Sequence, residues 1–154
     1  MMKYWLIKSE GDCYSIDDFK KDKKTPWEGI RNYQSRNYMM RDMQVGDLLF
    51  FYHSVSQPTG VYGIAKVVSK AHPDESQFDK KDEMTFDPKA TKEKPIWYCV
   101  DVAFVEKFKH PVSLEAIKKD PKLEGMMVRV KGSRLSVQPV SQKHFEHIRK
   151  RAGK

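Results

Sequence analysis

Three runs in this sequence carry residue types that read or hold a ligand: Trp27-Glu28-Gly29-Ile30-Arg31-Asn32-Tyr33, Phe51-Tyr52-His53-Ser54 and Arg134-Leu135-Ser136-Val137-Gln138-Pro139. Each joins apolar residues that fit a core to polar groups that are costly to bury without a partner. Brought together, they would make one pocket with an aromatic wall and several hydrogen-bonding groups, the composition of a small-ligand or flipped-base site. The Trp27 ring either staples a polar turn to the core or stacks on a ligand. Arg31 and Arg134 carry forked guanidinium groups suited to a phosphate or a base edge; the alternative is a structural ion pair with Glu10, Glu28 or an Asp. Asn32 suits a helix cap as well as a ligand contact. Gly29 permits either a close backbone approach to a ligand or the turn itself. Ser9, Ser54 and Ser136 offer small hydroxyls at strand ends for the Watson–Crick edge of a base. Tyr52 is divided between core and pocket, Gln138 is expected on one strand face with Arg134 and Ser136, and Trp5 and Trp97 read as core.

Familiar catalytic patterns are missing: no P-loop, no Gly-x-Ser-x-Gly elbow, no His-Glu-x-x-His, no paired Cys-x-x-Cys and no zinc-deaminase signature. His53 and Ser54 could be base and nucleophile by type, but neighbours on a strand point to opposite faces. A nucleophile needs its base within about 3 Å. His53 is therefore expected as a pocket donor or acceptor. His144 and His147 share a helix face but have no third ligand, so neither a metal nor a cofactor is expected. An enzyme acting on a nucleotide or RNA base, with His53 as acid or base, stays the alternative, as does a protein-interaction domain with a basic surface.

The elements that must position these groups follow from pattern. Residues 3–8 read as a strand rich in aromatics. Ser15 caps a short helix with acids in its first turn. Residues 20–26 read as a charged connection. Asn32 caps a second helix to about Met43, with an apolar stripe that includes Tyr33, Asn37 and Met40. After a turn at Gln44-Val-Gly-Asp, residues 47–53 form a continuous apolar strand. Residues 57–60 are a loop and residues 61–71 a second long strand. Gly60 and Gly63 echo a G-x-x-G loop, but the flanking residues favour a bulge or close backbone packing. Residues 72–95 are a long polar interval that begins with a turn and then reads as a solvated loop, of a length that is unusual unless it works as a lid or wall. Residues 96–108 read as a strand with Ile96, Tyr98, Val100, Val102 and Phe104 on one face. Ser113 caps a helix, residues 134–140 form a strand, and Ser141 caps a last helix with Phe145 and Ile148 buried. Without regular βαβ repeats, a mixed sheet curled into a small barrel with flanking helices fits this order.

The chain has 154 residues, 39% of them apolar and 32% charged, and a net charge of +8. One domain with its own core is expected, and the charge favours a polyanionic partner. No apolar run reaches the roughly 20 residues of a membrane span. The two cysteines, Cys13 and Cys99, make no disulfide framework. With no secretory signal, a cytoplasmic monomer is expected, and Cys99 reads as a buried hydrophobe.

The segments Tyr4-Trp-Leu-Ile-Lys-Ser-Glu, Tyr14-Ser-Ile-Asp-Asp, Trp27-Glu-Gly-Ile-Arg-Asn-Tyr-Gln-Ser-Arg-Asn, Val45-Gly-Asp, Phe51-Tyr-His-Ser, His72-Pro-Asp, Trp97-Tyr-Cys-Val-Asp-Val and Arg134-Leu-Ser-Val-Gln-Pro-Val occur in this order along nearly the whole chain. In them the sequence resembles the EVE-domain proteins of the PUA-like superfamily. The resemblance implies an α+β fold, a PUA-like mixed β-barrel with surrounding helices. It also implies binding of nucleic acid, DNA or RNA, that carries a modified base, by analogy with the sister YTH readers. Two departures are visible: Gly11 stands where the family usually has Pro, beside Ser9, and His72 where Tyr is common.

Overall fold

The computed structural model describes residues 2–9, 14–54, 58–130 and 135–152. Arg134, Gly11 and Cys13, and with them the expectations placed on those residues, lie outside that set. The strands are β1 (Tyr4–Ser9), β2 (Lys24–Pro26), β3 (Leu48–His53), β4 (Gly60–Val67), β5 (His72–Pro73), β6 (Tyr98–Cys99), β7 (Asp101–Ser113) and β8 (Val137–Val140). The α-helices are α1 (Ile16–Asp22), α2 (Tyr33–Asn37), α3 (Leu114–Lys119) and α4 (Gln142–Ala152), and α2 runs on into a π-helical turn, Tyr38–Asp42.

Helix starts follow local chemistry. At α1, Ser15 Oγ accepts from the Asp18 N–H and Asp18 Oδ2 accepts from the Ser15 N–H, a complete capping box. Asn32 Oδ1 accepts from Ser35 N at 2.9 Å to start α2, Ser113 caps α3, and Ser141 Oγ accepts from His144 N ahead of α4.

Six strands form one curled mixed sheet in the order β2-β7-β4-β3-β1-β8. Only β1 and β3 pair in parallel; the other neighbours are antiparallel. The sheet is the half-barrel of the PUA-like fold. Because side chains alternate across a strand, β3 divides its residues between two cores. Leu49 and Phe51 join Trp5, Ile7, Phe19 and Trp27 on one face. Phe50 and Tyr52 join Leu6, Ile64, Phe145 and Ile148 on the other, beneath α3 and α4. Register shifts in β4 opposite Phe51 and Tyr52 leave Tyr62 as an extra residue. Gly63 sits at this bulge: a Cβ there would lie 2.3 Å from the Glu106 carbonyl oxygen. Gly60 and Gly63 are thus sites of close backbone packing.

Four expectations change. Residues 24–26 are not a plain connection but an edge strand on β7, where Pro26 needs no ladder donor. The strand from residue 61 stops at Val67. Residues 96–108 are not one alternating strand: Cys99 and Val100 are both buried, so the alternation breaks there, and the Val100 carbonyl accepts from Trp27 N. Tyr33 carries no part of the buried stripe; it is 58% exposed, and Met39 is the buried residue of that turn. Among the described residues, no helix is long and apolar enough to cross a membrane.

Candidate nucleic-acid interface

The polar interval after β4 is built, not merely solvated. His72–Pro73 pairs with Tyr98–Cys99 and zips its two ends together. Gln77, fully buried, cross-links them: its Nε2 donates to the Asp74 and Trp97 carbonyls and its Oε1 accepts from Ile96 and Trp97 N–H groups, each at 2.8–3.0 Å. All four of its hydrogen-bonding positions are used, so a buried polar side chain that would otherwise cost stability becomes a rigid clamp.

Asp74 is the second clamp. Its carboxylate, 1% exposed, accepts from Gly29 N at 2.8 Å, from Arg31 Nη1 at 3.0 Å and from Ser76 N at 2.9 Å. Gly29 has φ +90°, a conformation that favours glycine, and this turns its N–H toward Asp74. Arg31 spends the rest of its guanidinium on the Thr85 carbonyl, at 3.0 and 2.7 Å, on Ser76 Oγ and on the Ile30 carbonyl. Of the roles open to Arg31, the structure gives it the ion pair, and that pair holds Thr85 in place.

The clamped segment walls a cavity of about 500 Å³ lined by Lys8, Ser9, Tyr14, Thr25, Pro26, Trp27, Glu28, Gly29, Ile30, Asp82, Met84 and Thr85. Trp27 does both of the things its position allows. It is 7% exposed and packs edge-on to Phe51 and Tyr14, at 5.6 and 6.2 Å between centroids, yet it also lines the cavity. Tyr14 donates its hydroxyl to Asp22 Oδ2 at 2.8 Å; burial and the Asp22 carboxylate push its pKa well up. Ser9 Oγ donates to the Tyr14 carbonyl at 2.6 Å, fixing the end of β1 against that ring.

The rim is acidic. Partial loss of water, and then the charge of Asp74, hold the Glu28 carboxyl above its ordinary range, while its Oε2 accepts from Glu75 N at 3.2 Å. Asp82 lies below its ordinary range, chiefly through its bond from Thr85. Met84, at 89% exposure, stands on the lip.

The three polar runs meet at the end of β1. Ser54 donates its N–H and its Oγ to the Ser9 carbonyl, at 2.9 and 3.3 Å, and the Ser136 carbonyl accepts from Lys8 N at 2.9 Å. Of the residues singled out in the sequence, Ser9, Trp27 and Gly29 line the cavity. Ser54 and Ser136 lie beside it, and Asn32 is a helix cap. Tyr52 and Gln138 belong to the other face: Tyr52 sits in the core under α4, its hydroxyl pushed up to about 12 by burial. Gln138, 1% exposed, donates to the Leu135 carbonyl at 2.9 Å. Val137 faces the cavity-side core, so alternation turns Gln138 away from it.

His53 is on the cavity side of β3 but does not line the cavity. Its Nε2 accepts from Ile16 N at 3.1 Å, which makes it a cap for α1, and its ring stacks on Tyr62 at 3.9 Å. Burial pulls its pKa down, which suits an imidazole acting as acceptor. A Cys–His–Asp cluster also forms, with His72 Nε2 2.8 Å from Asp101 Oδ1. Cys99 Sγ is nearly equidistant from both ring nitrogens, at 3.9 and 4.0 Å, so it lies over the ring and not along an N–H. The thiol is fully buried and its pKa is driven far up by that burial, so no thiolate is available for attack.

Sequence reasoning passes over Asp74, Gln77, Tyr14, Asp82 and Thr85 as site residues, and reads Glu28 only as part of the first run and a partner for Arg31. Asp74 leaves one local trace, the Pro-Asp-x-Ser pattern of a capped turn; Gln77 acts on Ile96 and Trp97 and Glu28 on Glu75, across long separations. A broader groove of about 1250 Å³ runs along α4, lined by such residues as Lys122, Lys143, His144 and Lys150. It has no Phe, Tyr or Trp ring to receive a base. Among the described residues no group of three or more His, Cys, Asp or Glu is placed to hold a metal ion.

The EVE domain family model matches residues 3–151. Thymocyte nuclear protein 1 of Gallus gallus is 39% identical over 163 residues, covering 94% of this chain and 66% of that protein, so the chain spans slightly less than two thirds of that relative. A hypothetical protein from Leishmania major has a solved structure with TM-score 0.93 at 45% identity, covering 99% of this chain and 95% of that one. Human THYN1 protein, solved in complex with 5-methylcytosine containing DNA, aligns with TM-score 0.89 at 34% identity, covering 99% of this chain and 98% of that one. A family match across nearly the whole length, on the half-barrel and clamped wall described above, leads to one conclusion: the chain belongs to the EVE-domain family.

Proposed function

We propose that this chain is a nucleic-acid-binding module that takes a single, modified base into the cavity beside Trp27. The observation that carries the reading is the cavity itself. Its volume of about 500 Å³ falls within the roughly 300–1,000 Å³ typical of small-ligand sites. Its walls are the rings of Trp27 and Tyr14, with acceptors at the rim in Glu28 and Asp82. Glu28 and Asp82 offer acceptors that suit a ring presenting an exocyclic amine, and Lys8 in the same lining offsets part of their charge. The net charge of +8 draws the strand by its phosphates. The DNA complex of the human relative supports a methylated cytosine as the first base to test. The engagement of His53 by Ile16 and Tyr62 weighs against the acid–base alternative.

Single-stranded oligonucleotides that differ at one position separate the contributions. The 5-methylcytosine strand should bind tightest. Cytosine should be a few-fold weaker, since a buried methyl is worth about 0.8 kcal/mol. Thymine keeps the methyl but replaces the amine by a carbonyl, and should lose more against Glu28 and Asp82. Trp27→Leu should cost about 1–3 kcal/mol of binding through lost stacking. Equal affinity for all three strands, with Trp27→Leu unchanged, would refute the reading.

A further inference from the structure

We infer that Tyr33 is a second nucleobase site, a stacking platform for a base that flanks the one in the cavity; this rests on the nucleic-acid reading above. Tyr33 is 58% exposed, yet its ring is firmly backed. One face stacks on Trp97 at 4.8 Å between centroids and 25° between planes. Trp97 is 5% exposed and cannot move, because its indole N–H donates to Asp87 Oδ2 at 2.9 Å and its backbone is held by Gln77 and Asp74. The Arg31 guanidinium lies 5.2 Å from the Trp97 ring.

The Arg36 guanidinium lies over the Tyr33 ring, 4.8 Å from its centroid, and 5.9 Å from the centroid of Trp97, so it shares the Trp97 side of the platform. It is fixed there by bonds to the Ile96 carbonyl and Asn37 Oδ1. A rigid aromatic face open to water next to an immobilised cation is the pairing that proteins use for single strands: the ring takes a base and the cation takes the adjoining phosphate. The platform is also coupled in space to the cavity. Arg31 donates to the Thr85 carbonyl in the cavity wall and lies over Trp97, the ring on which Tyr33 stacks, so Arg31 and Trp97 together link the two sites. A strand with one base in the cavity therefore passes the Tyr33 ring on its way out.

The test is a cycle between the ring and the flanking base. Wild type, Tyr33→Ala, Tyr33→Leu and Tyr33→Phe are titrated with a single-stranded oligonucleotide carrying one 5-methylcytosine. The titration is repeated with an abasic site at each flanking position in turn. Tyr33→Ala and Tyr33→Leu should weaken binding about 5- to 150-fold, the span expected for one base–aromatic stack, while Tyr33→Phe keeps wild-type affinity. One particular abasic position should erase the difference between wild type and Tyr33→Leu. Unchanged affinity in Tyr33→Leu overturns the platform. So does an equal loss on every strand, abasic ones included, which would mean that Tyr33 only covers Trp97. If wild type prefers 5-methylcytosine but Tyr33 shows no coupling to a flanking base, the cavity stands and the platform falls. If the coupling appears without any preference at the central base, the cavity reading fails instead.

Discussion

On one face of the sheet, Leu6, Phe50, Ile64 and Val61 are covered by α3, α4 and the turns between them, and the cluster is apolar apart from the Tyr52 hydroxyl and the Gln138 amide at its margin. On the other face, Ile7, Phe51 and Ala65 are covered by α1, Trp27 and Met39, and the covering segments are pinned by buried polar side chains. Asp47 accepts from Trp5 Nε1, Lys3 N and Gln44 N; Asp74 and Gln77 hold the wall of the cavity. The first face is held by area. Each large apolar side chain buried there contributes roughly 1.5–3 kcal/mol. The second is held by directional bonds, which stabilise little net but fix positions. A cavity cannot be walled by close packing alone, because packing would fill it; the open face therefore uses hydrogen-bonded clamps where the closed face uses rings and aliphatic side chains.

The largest expected effect tests the closed face. Phe145 stacks on Phe50 at 4.1 Å and on Tyr4 at 4.6 Å, and Phe145→Ala should cost about 4 kcal/mol in denaturant unfolding. Oligonucleotide affinity at low temperature should stay within two-fold; a large loss of affinity would show that the faces are not independent. On the open face, Asp74→Ala leaves Gly29 N and Arg31 without their acceptor, and about 3 kcal/mol should be lost. Here affinity should fall with stability, because the Thr85 wall is released.

The smallest effect is a pH dependence at the edge of the same wall. Burial of the His72 ring pulls its pKa down, but the bond to Asp101, the Pro73 carbonyl and the charges of Asp101 and Glu28 outweigh it, and the pKa ends raised. A raised pKa contributes stability that is full below the ordinary histidine value and is lost as pH rises through the folded value. The ring is 38% exposed, so screening keeps the contribution under about 1 kcal/mol. The Tm of wild type should exceed that of His72→Gln in mild acid and converge with it in mild alkali; a gap that widens with pH would contradict the assignment.

Much of the frame is legible in the sequence because its causes are local. Ser15, Asn32, Ser113 and Ser141 announce helix starts, and the apolar run at 48–53 announces a fully buried strand. The half-barrel follows from that order together with the family resemblance. The cavity is less legible. Period-two alternation places Tyr52 and His53 on opposite faces, but it does not say which face is open, and the same ambiguity turns Gln138 away from the cavity. Arg31 reads equally as ligand contact or ion pair until Asp74, 43 residues away, is placed beside it. Gln77 gives no signal, since its four partners belong to Asp74, Ile96 and Trp97. Tyr33 misleads in the opposite direction: an aromatic in a helix suggests a buried stripe, and the structure leaves it in water.

The parallel pairing of β1 with β3 also has a consequence for how the chain comes together. Inserted between β3 and β8, β1 gains its second partner only when residues 137–140 are present. Until then one edge of a strand that reads Trp-Leu-Ile offers unpaired N–H and C=O groups to any other strand. Contacts of such long sequence separation form late and slowly. Synthesis of this chain therefore passes through a stage in which the strand that ends at the cavity presents an unpaired edge to other strands, and β8 is the segment that closes it.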